Sequence, residues 1–429
     1  MAIPRRRFLS LTGGIAAAAA GLSACGSNTG RPSTDSSPSA STSGETSSVA
    51  LSQWYHQYGE DGVEEAVKRY AAAYGQAKVT VKWNPGEYEK LVGAALLTAK
   101  VPDVFEYGNG PTLDMIKAGQ VLDLTDTLGD AKSQFAPSVL AAMTYDDKIW
   151  AIPQTVDMQM LYYRKSLLEK AGVQPPQTFA DLVSAARAVQ TKDIGGFFAG
   201  NDGGIGVLGN MFVWAAGFEQ ISEDRSGIGF ADPAMYDALS QWRDFSKDGV
   251  LQSASADWFD GAPFINEETA MQWTGLWVLP DVQKAFGDDF GVLPFPAMGT
   301  KGRQAVPFGA FSSCVSAKGV DPDAAKAFVK WLWVDQESDQ VDFSNSYGTH
   351  IPAKPSLAPQ ATKLATGAGA EAAKLVTDFG HAPSLLWTPA LTQAYTAALS
   401  NVVRKDADPS AEIATVAKKG QSEITRVNG

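Results

Sequence analysis

Apolar residues change period along this chain, and the changes mark its elements. Val49-Ala50-Leu51-Ser52-Gln53-Trp54 reads as a short strand, with Tyr55-His56-Gln57-Tyr58-Gly59 as the loop after it. Val63, Ala66, Val67, Tyr70 and Tyr74 then keep a 3.6-residue spacing, which predicts a helix over about 61–74, stopped by Gly75. Val79, Val81 and Trp83 alternate with polar residues, as a strand does, and Val101-Pro102-Asp103-Val104-Phe105 suggests another strand. Strands alternating with helices imply parallel βαβ units and an α/β fold. Later helices announce their starts. Asp232-Pro233 and Asp321-Pro322 each set a capping acid before a first-turn proline. Thr178 and Asp181 have capping-box spacing ahead of Leu182, Val183, Ala186 and Val189. Ala325, Phe328, Val329 and Leu332 form the apolar stripe of the helix after Asp321.

The first 48 residues do not follow these rhythms. A basic start, Arg5-Arg6-Arg7, leads into an apolar run from Leu9 to Ala20 that is shorter than the about 20 residues a bilayer span needs. Small residues follow, ending in Leu22-Ser23-Ala24-Cys25, the layout of an export signal. The order of twin arginine, Phe8-Leu9, apolar run and Leu-Ser-Ala-Cys resembles a twin-arginine lipoprotein signal, with Pro4 and Ser10 as weaker matches. That resemblance implies removal of residues 1–24 and lipidation (palmitate or a similar acyl chain) of Cys25 as the first mature residue. Residues 26–48 are rich in Ser, Thr, Gly and Pro and cannot bury enough surface to fold. As a flexible coil they would span roughly 25 Å. The expected location is therefore outside the cytoplasm, on the outer face of the bacterial cell membrane.

Composition narrows the functions. A length of 429 residues leaves about 400 after the signal, room for two domains at about 100–200 residues each. Net charge is −12, and near −15 without the three arginines of the signal, which argues against nucleic acid as a partner. Of two cysteines only Cys314 lies beyond Cys25, so no internal disulfide forms and Cys314 reads as a small core residue. Three histidines do not suggest a metal site, and no cofactor is expected. Gly204-Ile205-Gly206-Val207-Leu208-Gly209 matches the dinucleotide spacing G-x-G-x-x-G, but an exported chain meets little NAD, and a glycine-rich loop is the expectation. Asp123, Asp126 and Asp130 lack the calcium-loop pattern and read as solvated loop acids. G-x-S-x-G, H-E-x-x-H and C-x-x-C are all missing. Aromatic residues beside glycine, asparagine or proline are the stronger signal. Trp277 follows Thr274-Gly275-Leu276, and Trp387 precedes Thr388-Pro389. Flat faces held in loops suit sugar rings, and Asp or Asn side chains suit their hydroxyls.

Several segments together resemble one family. Tyr145-Asp146-Asp147-Lys148-Ile149-Trp150-Ala151-Ile152-Pro153, Met160-Leu161-Tyr162-Tyr163-Arg164-Lys165, Pro175-Pro176-Gln177-Thr178-Phe179, Phe264-Ile265-Asn266-Glu267-Glu268-Thr269-Ala270-Met271 and Gly291-Val292-Leu293-Pro294-Phe295-Pro296 occur in the order found in solute-binding proteins of carbohydrate ABC importers, the maltose-binding type. The resemblance runs from about Val49 to His350 and more weakly to the end. It implies a two-lobed periplasmic-binding-protein-like fold of type II, with crossover hinge strands and a ligand cleft between the lobes. The first lobe would be 49–156 plus 292–340, and the second 157–291 plus 341–429. It also implies capture of a sugar or oligosaccharide, delivery to the membrane permease, and a monomer without catalytic residues. Carried over residue by residue, the ligand-binding positions are Asp157, Trp277, Trp387, His56, Gln57, Tyr58, Tyr107, Asn109, Trp214 and Asn210. Arg164 stands where relatives often have Asn, outside the cleft. Two rivals stay open: the same fold with a polyamine, peptide or metal ion, and a tethered carbohydrate-active enzyme. An enzyme should show two carboxylates facing each other across the cleft, and a transport receptor a single acid among aromatics.

Overall fold

Alternation in the first strand is what starts the fold. In β1 (Val49–His56) Leu51, Gln53 and Tyr55 point inward, and the intervening residues are more exposed. The helix Val63–Ala73 buries Val63, Ala66, Val67, Tyr70 and Ala71 and returns the chain to β2 (Ala77–Asn84). The two strands pair in parallel, from Val49 opposite Ala77 to His56 opposite Asn84, which completes a βαβ unit. A computed structural model describes residues 49–347 and 349–428. The export signal, the linker and Cys25 lie outside the described residues.

The third strand, β3 (Val104–Gly108), pairs in parallel with β1 on its other side. It begins later than the sequence pattern predicted. Asp103 is held instead by Ser52, whose backbone N–H and hydroxyl donate to its carboxylate at 2.7 and 2.8 Å. A small hairpin of β4 (Thr144–Tyr145) and β5 (Lys148–Ile149) then leads into β6 (Ile152–Arg164).

At 13 residues, β6 is about 43 Å long at roughly 3.3 Å per residue. It changes partners part way along. From Ile152 to Met158 it pairs antiparallel with β9, and from Gln159 to Arg164 with β7 (Met271–Gly275) and β8 (Phe290–Leu293). The partner strand β9 (Val306–Val315) also pairs antiparallel with β3, and β10 (Ile351–Pro352) with β6. A last short strand, β11 (Gly380–His381), lies beside β9. The first sheet therefore runs β2-β1-β3-β9-β6-β10.

Packing follows this handover. Leu51, Val67, Phe328, Leu332 and Trp333 share one core beside the first sheet. Leu182, Phe212, Trp242, Trp273, Phe295 and Leu399 share a second, in the other lobe. A third cluster bridges them, from Phe105 and Cys314 through Met158, Met160 and Tyr162 to Phe264 and Phe290. The lobe divisions expected at 156/157, 291/292 and 340/341 fall inside β6, β8 and the helix Glu337–Ser346.

Helix starts behave as their sequences suggest. Thr178 and Asp181 form a reciprocal capping box, and the carboxylates of Asp232 and Asp321 cap Ala234 and Ala324. The stripe after Asp321 continues into a wider π turn, Trp331–Asp335, that buries Leu332, Trp333 and Val334. The expected loop at 204–209 is corrected, because Ile205–Ala215 is a buried helix. Gly204 precedes it in a left-handed conformation, at φ 79°, and Gly206 leaves room for the Asp202 carboxylate that caps its N–H at 2.7 Å. Gly209 lets Leu399 approach. These glycines serve helix packing, and an acid sits where a dinucleotide phosphate would need to be. Among the described residues, no helix is long and apolar enough to cross a membrane.

Candidate ligand-binding cleft

Where β6 changes partners, a cavity of about 750 Å³ opens between the two halves of the molecule. One wall is the end of β1 at His56 and the loop after it, with Tyr58, Glu60 and Asp61; the strand runs two residues further than the sequence pattern suggested. Asp157 on β6, Phe311 on β9 and His350 form the floor, and Phe259, Asp260, Trp277 and Asp281 form the facing wall.

His56 is fixed on three sides. Its ring stacks on Phe311 at 4.4 Å and lies 3.9 Å from Tyr58, centroid to centroid. Below it the buried carboxylate of Glu106 accepts the His56 backbone N–H at 2.6 Å, contacts the ring at Nδ1, and accepts the Tyr58 hydroxyl at 2.9 Å. Burial alone would push the imidazolium toward neutrality. Glu106, with help from Asp157 and Glu60, outweighs it, and the net direction for His56 is upward. Burial drives the Tyr58 hydroxyl upward too, so it remains a donor.

The second histidine joins three separate segments. His350, only 1% exposed, places Nδ1 2.6 Å from Asp157 and Nε2 3.3 Å from Glu60. Desolvation opposes its charge, but Asp157 and then Glu60 prevail, and its pKa rises to about 10. Burial pushes Glu60 up and the His350 contact pulls it down, for a net fall. The Nε2 atom is buried against Glu60, and His350 borders the cavity as a residue.

Trp277 owes its position to the residues around it. β7 ends at Gly275, and the single turn Leu276–Val278 folds the indole back over that glycine. A Cβ on Gly275 would come within 2.1 Å of the ring. The indole N–H donates to the Phe259 carbonyl at 2.9 Å, and Trp258 meets the ring edge-on at 6.0 Å. Trp277 remains partly exposed and lines the cavity.

Of the residues named from sequence, Asp157, Trp277, His56 and Tyr58 line this cavity. Gln57 is exposed beside it, with its backbone N–H bonded to Asn84. Tyr107, Asn109 and Trp387 border a separate hollow of about 120 Å³. Asn109, at φ 61°, uses its side chain to accept the Ala310 N–H and so closes the end of the β3–β9 pairing. Trp387 is 8% exposed and packs on Phe230 and Tyr395. Trp214 lies in the second core, stacked on His381 at 5.5 Å, and Asn210 accepts a hydrogen bond from Gln220. Arg164 is away from the cavity, paired with Asp289 at 2.9 Å and lying over Phe286.

Glu106, His350, Phe311 and Phe259 were not anticipated. Glu106 had a signal, an acid inside the apolar run Val104-Phe105-Glu106-Tyr107. The expectation of a single acid is also corrected, since five carboxylates line the cavity.

Residues 65–415 match the bacterial extracellular solute-binding proteins. The chain is 26% identical over 354 residues to the diacetylchitobiose binding protein DasA of Streptomyces coelicolor, covering 80% of this chain and 77% of that one. It is also 26% identical over 355 residues to the maltooligosaccharide ABC transporter solute-binding lipoprotein of Streptococcus pneumoniae, covering 77% of each. The GacH receptor of Streptomyces glaucescens, solved unliganded and with acarbose, superposes with a TM-score of 0.71 at 22% identity, over 88% of this chain and 99% of its own. Maltose-bound MalE3 of T. maritima superposes at 0.72 with 20% identity, over 87% and 100%. With its two lobes, its crossing strands and a family match over most of its length, the chain belongs to the bacterial extracellular solute-binding proteins.

Proposed function

We propose that this protein captures a sugar or oligosaccharide outside the cytoplasm and delivers it to the permease of an ABC importer. The supporting observation is the cleft itself: an indole, a stacked histidine and carboxylates around a volume within the about 300–1,000 Å³ usual for small-ligand pockets. Relatives named for diacetylchitobiose and maltooligosaccharide point the same way. The exposed carboxylates of Asp61, Asp260 and Asp281, with Asp157 held beside them by His350, offer acceptors for sugar hydroxyls, and charge-assisted bonds of this kind are the stronger class. Burying about 50 Å² of a ring face on Trp277 adds roughly 1.2 kcal/mol.

The two lobes close on the ligand about β6 and β9. Ligand shifts that equilibrium only through its extra affinity for the closed form. Going from 1:99 to 99:1 takes about 5.5 kcal/mol, within reach of one stacked ring and several charge-assisted bonds. Lipidated Cys25 and the 26–48 linker would tether the receptor beside its permease, as a monomer.

Hydrolysis is the weaker reading. A glycosidase needs one wall carboxyl held protonated. Glu60 is driven the other way, and Asp157 is committed to His350.

Calorimetry against a sugar panel tests the proposal. For the sugar that binds, Trp277→Ala and Asp157→Asn should each weaken affinity by roughly 5- to 100-fold, the range of about 1–3 kcal/mol for a central contact. Unchanged affinity in both would remove this cleft from consideration. Binding of an amine such as spermidine with no sugar would reject the carbohydrate reading.

A further inference from the structure

Glu106 is an acid in an apolar place. It stands between Phe105 and Tyr107 on β3, and its side chain is wholly buried. Three donors converge on the carboxylate: the His56 backbone N–H at 2.6 Å, the His56 ring at Nδ1, and the Tyr58 hydroxyl at 2.9 Å. A carboxylate enclosed in this way needs a countercharge nearby. Among the described residues no lysine or arginine pairs with it, and the side chain in contact that can carry positive charge is His56. A carboxylate only accepts, so Nδ1 carries a hydrogen.

The rest of the ring is less enclosed. His56 lines the cavity, and its side chain is 22% exposed although it stacks on Phe311. Nε2 makes no hydrogen bond among the described residues and is not enclosed. With Nδ1 taken up by Glu106, Nε2 is the nitrogen left for a ligand. In the neutral ring it accepts; in the imidazolium it donates.

The charges around His56 decide between these forms. Burial opposes the cation, and Glu106 on β3, Asp157 on β6 and Glu60 in the loop after β1 favour it. Glu89, in the helix Tyr88–Ala95, also interacts with the ring's charge, and the Tyr88 ring lies 6.1 Å away. His350 and Lys363, in the same lining, are the cations on the other side of the balance. Asp157 and Glu60 are both shared with His350, so Glu106 is the acid committed to His56.

Resting on the carbohydrate reading above, we infer that Glu106 is a positioning residue for ligand capture: it fixes the His56 ring and keeps Nε2 a donor, so that the cleft offers a charge-assisted N–H to a sugar oxygen. Glu106 acts only through His56 and does not touch the ligand. The ligand group that meets His56 must then be an acceptor, and a sugar hydroxyl meets it oxygen first.

Calorimetry at pH 5.5 and pH 7.5 tests this, using the tightest binder of the sugar panel, with maltose, maltotriose and diacetylchitobiose among its members. Wild type should bind about equally at the two pH values. Glu106→Gln keeps the size and loses the charge. It should bind about tenfold less tightly than wild type at pH 7.5, and within about threefold of it at pH 5.5, where the ring is protonated with less help. His56→Gln should bind about tenfold less tightly at both pH values, and adding Glu106→Gln to it should cost no more than about twofold, because the two act as one unit. Nitrogen-15 imidazole spectra give a second readout. The chain has three histidines, so His56 is assigned by its loss in His56→Gln. Its titration midpoint should lie above the ordinary value of about 6.5 in wild type and lower in Glu106→Gln. An affinity loss in Glu106→Gln that is equal at both pH values, or that persists once His56 is replaced, makes Glu106 a structural residue and overturns the inference. So does a wild-type His56 midpoint at or below about 6.5, a result that holds even where Glu106→Gln does not fold. In each of these cases a sugar still binds and the carbohydrate reading stands. If no member of the panel binds, that reading itself falls, and the inference with it.

Discussion

Gly275 shows how one missing side chain shapes a binding surface. The Trp277 indole occupies the space that a Cβ at 275 would take. Gly275→Ala should push the ring off its bond to the Phe259 carbonyl and cost about 1–3 kcal/mol, as overpacking does. The expected result is a lower midpoint in chemical denaturation, together with weaker sugar binding. A midpoint and an affinity both matching wild type would mean that the indole is seated by something else. At this scale the sequence was readable where a backbone breaker stood beside an aromatic, as at Trp277. It was misleading where the same pairing served the core. Trp387 precedes Thr388-Pro389 only because Thr388 caps the helix Pro389–Lys405, and that helix covers the ring. Trp214 sits in a helix that is apolar on nearly every side, so no periodicity separates a cleft face from a buried one. Partners brought together across the fold, such as Glu106 beneath His56, leave no local spacing to read.

His350 ties together elements far apart in the chain: the loop after β1 through Glu60, strand β6 through Asp157, and the segment leading into β10. Its pKa lies near 10 in the folded protein and near 6.5 when unfolded. A raised folded pKa means that the contribution is complete below about pH 6.5 and is lost as pH rises through about 10. Wild-type stability should therefore decline over this window, and His350→Gln should decline less. Denaturation midpoints at pH 6, 8 and 10 give the comparison, and equal slopes for both proteins would contradict it. Most elements were legible because each carries its own start signal, as with the Thr178–Asp181 box and the acids before Pro233 and Pro322. The 204–209 segment was not, because glycine in a helix is excused only by close neighbours, here Asp202 and Leu399. The partner exchange of β6 was also hidden. The strand is buried along most of its length, Gln154 and Thr155 included, so no alternation of polar and apolar residues shows which strand lies beside which part of it.

For the whole molecule, closure is the property that matters for transport. The 49–428 portion should have a radius of gyration of about 21 Å if compact. Small-angle scattering at saturating sugar should show a smaller value than without sugar. An unchanged radius under conditions where calorimetry records binding would argue against lobe movement. The two-lobed architecture was foreseeable only from the ordered set of segment resemblances. No single segment specifies that β6 and β9 should cross from one lobe to the other.

Cys314 has a practical consequence. It lies opposite Phe105 in the sheet, fully enclosed, and burial pushes its thiol well above the ordinary range, so alkylating reagents find little thiolate there. In a chain begun after Cys25, Phe259→Cys would place a solitary reactive sulfur on the rim of the cleft. One environment-sensitive dye attached at that position would turn the receptor into an optical meter for its own solute.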